Sequence, residues 1–263
     1  MWHSSLRRSI ALRRIHGLLL HASLTVGTAS LLIAPAVLAT PQPLHYVAPP
    51  PPPGSDRGSP TRQIDMGTRS PCGNFAAVNQ FLTALIPKSQ PVFTVSERPT
   101  FWVYIPYTSS EVESINFSLG RDGSATLIGL RPPDRPGIIS IALPNDAPPL
   151  EIGQTYQWSV SVSCQSNPSE PLFVEGSIQR VAIDPTLAGS LAAASPHEQA
   201  QLYAENGIWY DALTTLGNLY RTEPVNAELA SDWASLLSAL EIDLRDRGID
   251  FDTRNIVASP IVN

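Results

Sequence analysis

The sequence predicts an α+β chain, an antiparallel β-sandwich followed by a short helical region. Three observations carry this expectation. Tyr156, Trp158, Val160, Val162 and Cys164 alternate with Gln157, Ser159, Ser161 and Ser163. Side chains on a strand alternate between faces, so the five larger groups all point to one side of a half-buried central strand. Short strand-like runs recur from Leu82 to Ile183 with turn residues between them and no helical periodicity. From Asp184 onward the apolar spacing changes to three and four residues, behind clear helix-start signals.

Taken in order, the chain opens on a leader. Residues 1–16 carry Arg7, Arg8, Arg13 and Arg14 and no acid, residues 17–34 are apolar or small, and Val37-Leu38-Ala39 offers small residues for cutting. This is the layout of a secretory signal peptide over residues 1–39, cleaved after Ala39; the alternative is a retained membrane anchor. The paired arginines fit a general secretory signal better than a twin-arginine one. Residues 40–70 follow, with five consecutive prolines at 49–53 and Gly54, Gly58 and Pro60 behind them. Such a run favours extended polyproline II, about 3.1 Å per residue. A disordered tether is expected here, ahead of a ligand for a proline-binding groove.

The β-sandwich domain is expected over 71–183. Its strands are placed at 82–86, 92–95, 100–105, 115–119, 125–130, 138–143, 156–164 and 172–183. Asp122-Gly123 between two of them is a hairpin signal. Pro132-Pro133, Pro136-Gly137, Pro144-Asn145-Asp146 and Pro148-Pro149 punctuate the others. On 100–105 both faces are bulky, with Phe101, Val103 and Ile105 against Trp102 and Tyr104. One aromatic face is therefore expected to receive the C-terminal helices.

Leu150-x-x-Gly153-x-x-Tyr156 resembles the tyrosine corner of immunoglobulin-like and fibronectin-like sandwiches, in which a phenol hydroxyl bonds back to the upstream backbone. That resemblance implies a sandwich of this kind, with Tyr156 and Trp158 as core groups in preference to a sugar platform. Cys72 and Cys164 are the two cysteines of the chain, 92 residues apart. In an oxidising compartment they are expected to pair and to clip the arm to the central strand.

The helical region is expected over 184–245. Asp184-Pro185 reads as an N-cap and a first-turn proline, and Ser195-Pro196-His197-Glu198 as a capping box. Ala200-x-x-Tyr203-x-x-x-Gly207-x-Trp209-x-x-Ala212-Leu213-x-x-Leu216-x-x-Leu219 resembles a single tetratricopeptide hairpin, closed by Pro224. A further amphipathic run carries Leu229, Trp233, Leu236, Leu237 and Leu240. Asp243, Asp246, Asp250 and Asp252 sit near Gly248, but Arg245 and Arg247 occupy ligand positions of a calcium loop and Arg254 the place of its glutamate. Residues 246–263 are therefore expected to be a flexible tail that holds no metal.

Charge limits the partners. Of 17 basic residues four lie in the leader, so its removal leaves 13 against 23 acids, a balance near −10. An acidic body repels phosphate backbones, which excludes nucleic acid. No phosphate loop, metal cluster or Ser-His-Asp arrangement can be assembled from the sequence, and no cofactor is expected.

Leu82-Thr-Ala-Leu-Ile-Pro87, Thr94-Val-Ser-Glu-Arg-Pro-Thr-Phe-Trp102-Val-Tyr-Ile-Pro106, Ala147-Pro-Pro-Leu-Glu-Ile-Gly153, Phe173-Val-Glu-Gly176 and Tyr203-Ala-Glu-Asn-Gly-Ile-Trp-Tyr-Asp-Ala-Leu213 resemble a cyanobacterial family, domain of unknown function 928. The resemblance implies an exported protein with a β part followed by helices, and it transfers no functional residue. The expected function is a non-enzymatic binding or scaffold module of the cell envelope, with a protein or glycan as partner and no membrane span after the leader is cut. Trp102, Tyr104, Trp209 and Tyr210 are its candidate contact residues. The alternative is a glycan-binding or glycan-processing protein with Glu97 and Glu175 as acid and base; a third reading is a structural envelope protein held near the membrane by its arm.

Overall fold

Two sheets face each other across the core, and the helical layer makes contacts to both. The structure, a computed structural model, describes residues 43–50, 63, 72, 81–88 and 92–242, and the backbone of 256–257. These lie within one compact unit, Gln42–Asn263. The leader and the acids Asp243, Asp246, Asp250 and Asp252 fall outside the described residues.

All eight expected strands form: β1 (Thr83–Ala84), β2 (Phe93–Thr94), β3 (Thr100–Ile105), β4 (Val112–Arg121), β5 (Ser124–Leu130), β6 (Gly137–Ala142), β7 (Thr155–Cys164) and β8 (Asn167–Arg180). The five-stranded sheet has the order β2-β8-β7-β4-β5, so the alternating strand is central as its pattern requires. Trp158, Val160, Val162 and Cys164 are buried, and the intervening serines face outward. Asp122 and Gly123 take φ of 54° and 84° at the β4–β5 turn, as a type I′ hairpin demands. The Tyr156 hydroxyl accepts the Glu151 N–H at 3.1 Å, the backward bond expected of that corner.

The expectation of purely antiparallel sheets is corrected. β2 runs parallel to β8, and β9 (Ile256–Val257) runs parallel to β6 in the smaller sheet, of order β1-β3-β6-β9. Both are two-residue pieces added at sheet edges by long connections, where the hairpin constraint on direction does not act. β9 also gives a paired place to two residues of the tail expected to be free.

Four helices follow: α1 (Pro185–Ala193), α2 (Pro196–Glu205), α3 (Trp209–Thr222) and α4 (Ala227–Ser238). Asp184 caps α1, the capping box at Ser195 and Glu198 opens α2, and Asn226 caps α4. α3 packs on β3 through a tight fit: a Cβ at Gly217 would stand 2.6 Å from Cη2 of Trp102. The Trp102 indole N–H donates to Thr214 Oγ1 at 3.1 Å. β3 is thus covered on both faces, by the opposite sheet around Phe101 and by helices around Trp102. One continuous cluster of buried apolar residues runs through both sheets and the helical layer.

Candidate functional site

Part of the arm, residues 43–50, is built into the fold where a disordered tether was expected, and most of the remainder of 40–70 lies outside the described residues. Residues 43–50 run without regular hydrogen-bonded structure across the helices. Leu44 and Tyr46 are buried, while Pro43, His45 and Val47 are exposed, an alternation that an extended segment produces. The Leu44 N–H donates to Asp232 Oδ1 at 2.9 Å. The Val47 N–H donates to the Ala204 carbonyl at 3.0 Å, at the C-terminus of α2, where that oxygen also accepts the Gly207 N–H at 3.1 Å. The Tyr46 ring meets Trp209 edge-on, 4.9 Å between centroids.

Each wall of this groove has a local cause. Ala200 and Ala204, one turn apart on α2, are fully buried and present little bulk. Gly207 turns α2 into α3 with φ of +71°, and a Cβ there would lie 3.0 Å from the Val47 carbonyl oxygen and 3.1 Å from Pro49 Cδ. Gly207→Ala is therefore expected to cost about 1–2 kcal/mol from the left-handed backbone alone. It should also loosen the arm, which faster amide exchange at Val47 would report.

Asp232 is the chemically unusual member. It is 2% exposed on the buried face of α4, beside Leu229, Trp233 and Leu236. A buried carboxylate needs partners. One oxygen takes the arm N–H, and the other pairs with Nε2 of His197 in the first turn of α2. The pair links α2, α4 and the arm.

A second polar group joins the helices to the β part. Asp211, in the first turn of α3, accepts the Thr94 hydroxyl at 2.7 Å and the Val95 N–H at 3.1 Å. It lines a notch of about 110 Å³ with Arg98, Thr100, Tyr203 and Thr214. Burial raises its carboxyl above the ordinary aspartate range, against the pull of those donors. The folded chain thus holds this proton more tightly than the unfolded chain does. Stability contributed here falls as pH rises from the ordinary aspartate value through the raised one. Asp211→Asn, which keeps an acceptor, is expected to flatten that fall in urea melts run across the acidic range.

The structure places the four aromatic contact candidates in the interior. Trp102, Tyr104, Trp209 and Tyr210 are all 3% exposed or less. Trp209 donates its indole N–H to the Leu85 carbonyl at 2.9 Å. The Tyr210 hydroxyl accepts from Trp158 Nε1 at 2.7 Å and donates to the Ser177 carbonyl at 3.2 Å. Burial pushes the Tyr104 phenol up to about 12 and raises Tyr210 as well, so both stay protonated. These aromatics are large and they alternate, but alternation reports which face they share and not what covers that face.

Cys72 and Cys164 form the expected disulfide. Glu97 pairs with Arg98 at 2.8 Å, and Glu175 lies on the outer face of β8 beside Ser159 of β7, so the structure gives them separate surroundings. Among the described residues no three His, Cys, Asp or Glu side chains are grouped to hold a metal. No described helix is long and apolar enough to cross a membrane.

Asp232, Leu44 and Tyr46 were not singled out from the sequence. Asp232 had a signal: it interrupts the apolar stripe of Leu229, Trp233, Leu236, Leu237 and Leu240 at the i+3 position, where a charge requires a buried partner.

Fold and groove together define a two-sheet α+β protein whose helical layer holds an extended segment of its own chain. The chain belongs to the family described as Domain of Unknown Function (DUF928), which it matches over residues 64–247. No curated protein matches it.

Proposed function

We propose that the protein is an exported, non-enzymatic binding or scaffold module of the cell envelope. The observation that carries this reading is the helical groove, which holds an extended segment through two backbone hydrogen bonds and two buried side chains. Grooves of this kind recognise peptides. The finer reading of α2 and α3 as a tetratricopeptide-like unit agrees with such a use, since those hairpins stack small residues beside a concave face. The immunoglobulin-like reading of the sandwich rests on the Tyr156 corner. Export is supported by the leader and by the disulfide, which a reducing cytosol does not favour. Intact mass of the native protein tests export: a chain beginning near Thr40 without free thiols is expected, and one beginning at Met1 with two free thiols would sink the reading. Affinity capture from an envelope extract tests binding.

One observation favours a glycan as the alternative ligand. The outer face of the five-stranded sheet carries a depression of about 420 Å³ lined by Ser118, Gln157, Ser159 and Glu175. With Arg121 and Asp122 at its rim, the depression offers hydroxyls, an amide, a guanidinium and two carboxylates, groups that suit a polyhydroxylated chain. Loss of polysaccharide retention in gel-shift experiments with Glu175→Gln would support it; unchanged retention would remove Glu175 from the role.

A further inference from the structure

We infer that the free edge of β5 joins a second copy of this chain, edge to edge and antiparallel, about a two-fold axis through Leu127. This goes beyond the binding-module reading and stands without it. Among the described residues the two sheets end on four strands, β1, β9, β2 and β5. The first three are two-residue pieces, which offer a partner almost no backbone. β5 has seven residues, Ser-Ala-Thr-Leu-Ile-Gly-Leu, with no charge and no proline. It lacks the devices that keep an exposed edge from pairing.

The register decides which backbone groups are free. Arg121 and Ser124 flank the two-residue turn and pair across it, so the backbone of Ser124 faces β4. Bonded and unbonded pairs then alternate along the ladder. The N–H and C=O groups of Ala125, Leu127 and Gly129 accordingly point away from β4, and all three residues are exposed. An antiparallel copy centred on Leu127 sets Ala125 against Gly129 and Leu127 against its own counterpart. Every outward group then meets an outward group, for about six hydrogen bonds. A slip of one residue would set outward groups against inward ones and lose them.

Side chains agree with this register. Leu127 is 76% exposed, beside Ser118 on the outer face of the sheet. Across the axis two such leucines cover each other, with Cα atoms about 5.5 Å apart. The ends of the strand are complementary in charge. Asp122 at the hairpin tip has a side chain 85% exposed and touches Arg121 of its own turn at 3.1 Å. Arg131, just past β5, is exposed as well. The antiparallel register brings Asp122 of each copy beside Arg131 of the other, whereas a parallel one would set like charges together.

Sedimentation velocity of the native protein at rising concentration is expected to show a monomer–dimer equilibrium. Hydrogen exchange followed by NMR over the same range should slow at the amides of Ala125, Leu127 and Gly129. Leu127→Lys puts two like charges on the axis and should weaken the dimer by about tenfold or more. Circular dichroism checks that this change at an exposed position leaves the fold. Should it not, Arg131→Glu takes its place; it lies outside the strand and should weaken the dimer by facing Asp122 with an acid. A native protein that stays monomeric, or a folded variant that dimerises as tightly as the native one, overturns the inference. Protection of β5 that appears only when envelope extract is added to monomeric protein would give the edge to a foreign strand and overturn the second-copy assignment.

Discussion

Trp158→Ala is expected to destabilise the protein by about 3–5 kcal/mol, the range for emptying a buried indole site. Trp158 is 1% exposed at the centre of β7. Its ring lies 5.4 Å from Phe101 and 6.4 Å from Phe117, centroid to centroid, so the cavity would open where the two sheets meet. The neighbours cannot collapse into it easily, because β7 is paired on both sides and Gly176 across from it contributes no side chain. The loss also reaches the helices. Trp158 donates to the Tyr210 hydroxyl, and that hydroxyl bonds the Ser177 carbonyl, so one indole ties β7, β8 and α3. Trp158→Phe keeps most of the volume and removes the donor; about 1–2 kcal/mol is expected from that hydrogen bond. Urea melts of the two variants check both figures. A phenylalanine variant as damaged as the alanine one would show that the hydrogen bond, and not the packing, dominates.

Removing the disulfide should have an effect of similar size through a different state. The Cys72–Cys164 bridge closes a separation of 92 residues. Chain entropy assigns such a loop about 4–5 kcal/mol, exerted on the unfolded chain. Cys164 is fully buried on the central strand, so Cys72→Ala with Cys164→Ala adds a small packing loss to that figure. The native near-ultraviolet spectrum is expected to persist while the urea midpoint falls. Wild-type protein melted with and without reductant separates the two contributions, since reduction leaves both sulfur atoms in place. A reduced chain within about 1 kcal/mol of the oxidised one would contradict the chain-entropy account.

Comparison of particular elements shows where sequence suffices. β7 was legible because a period of two over ten residues has one structural meaning. The helix starts were legible because Asp184, Ser195 and Glu198 act on backbone within three residues of themselves. The groove was not legible. Leu44 and Asp232 are 188 positions apart, and nothing local in the segment Pro43-Leu-His-Tyr-Val-Ala-Pro-Pro50 says that two of its side chains will be buried. The burial of the aromatics at 102, 104, 209 and 210 was not legible for the same reason: size predicts a large contact area without saying whether the contact is a partner or the fold itself.

The sequence by itself determined the order of the first eight strands and of the helices behind them, where α1 and α2 start, which face of β7 is apolar, and that two cysteines stand ready to pair. These follow from backbone geometry and short-range hydrogen bonding, which act over a few residues. Only the tertiary structure decided that β2 and β9 run parallel to their neighbours, and that the arm lies in a groove closed by Asp232. Those outcomes depend on which distant surfaces meet, and apolar burial is non-directional: it drives surfaces together without naming the partner.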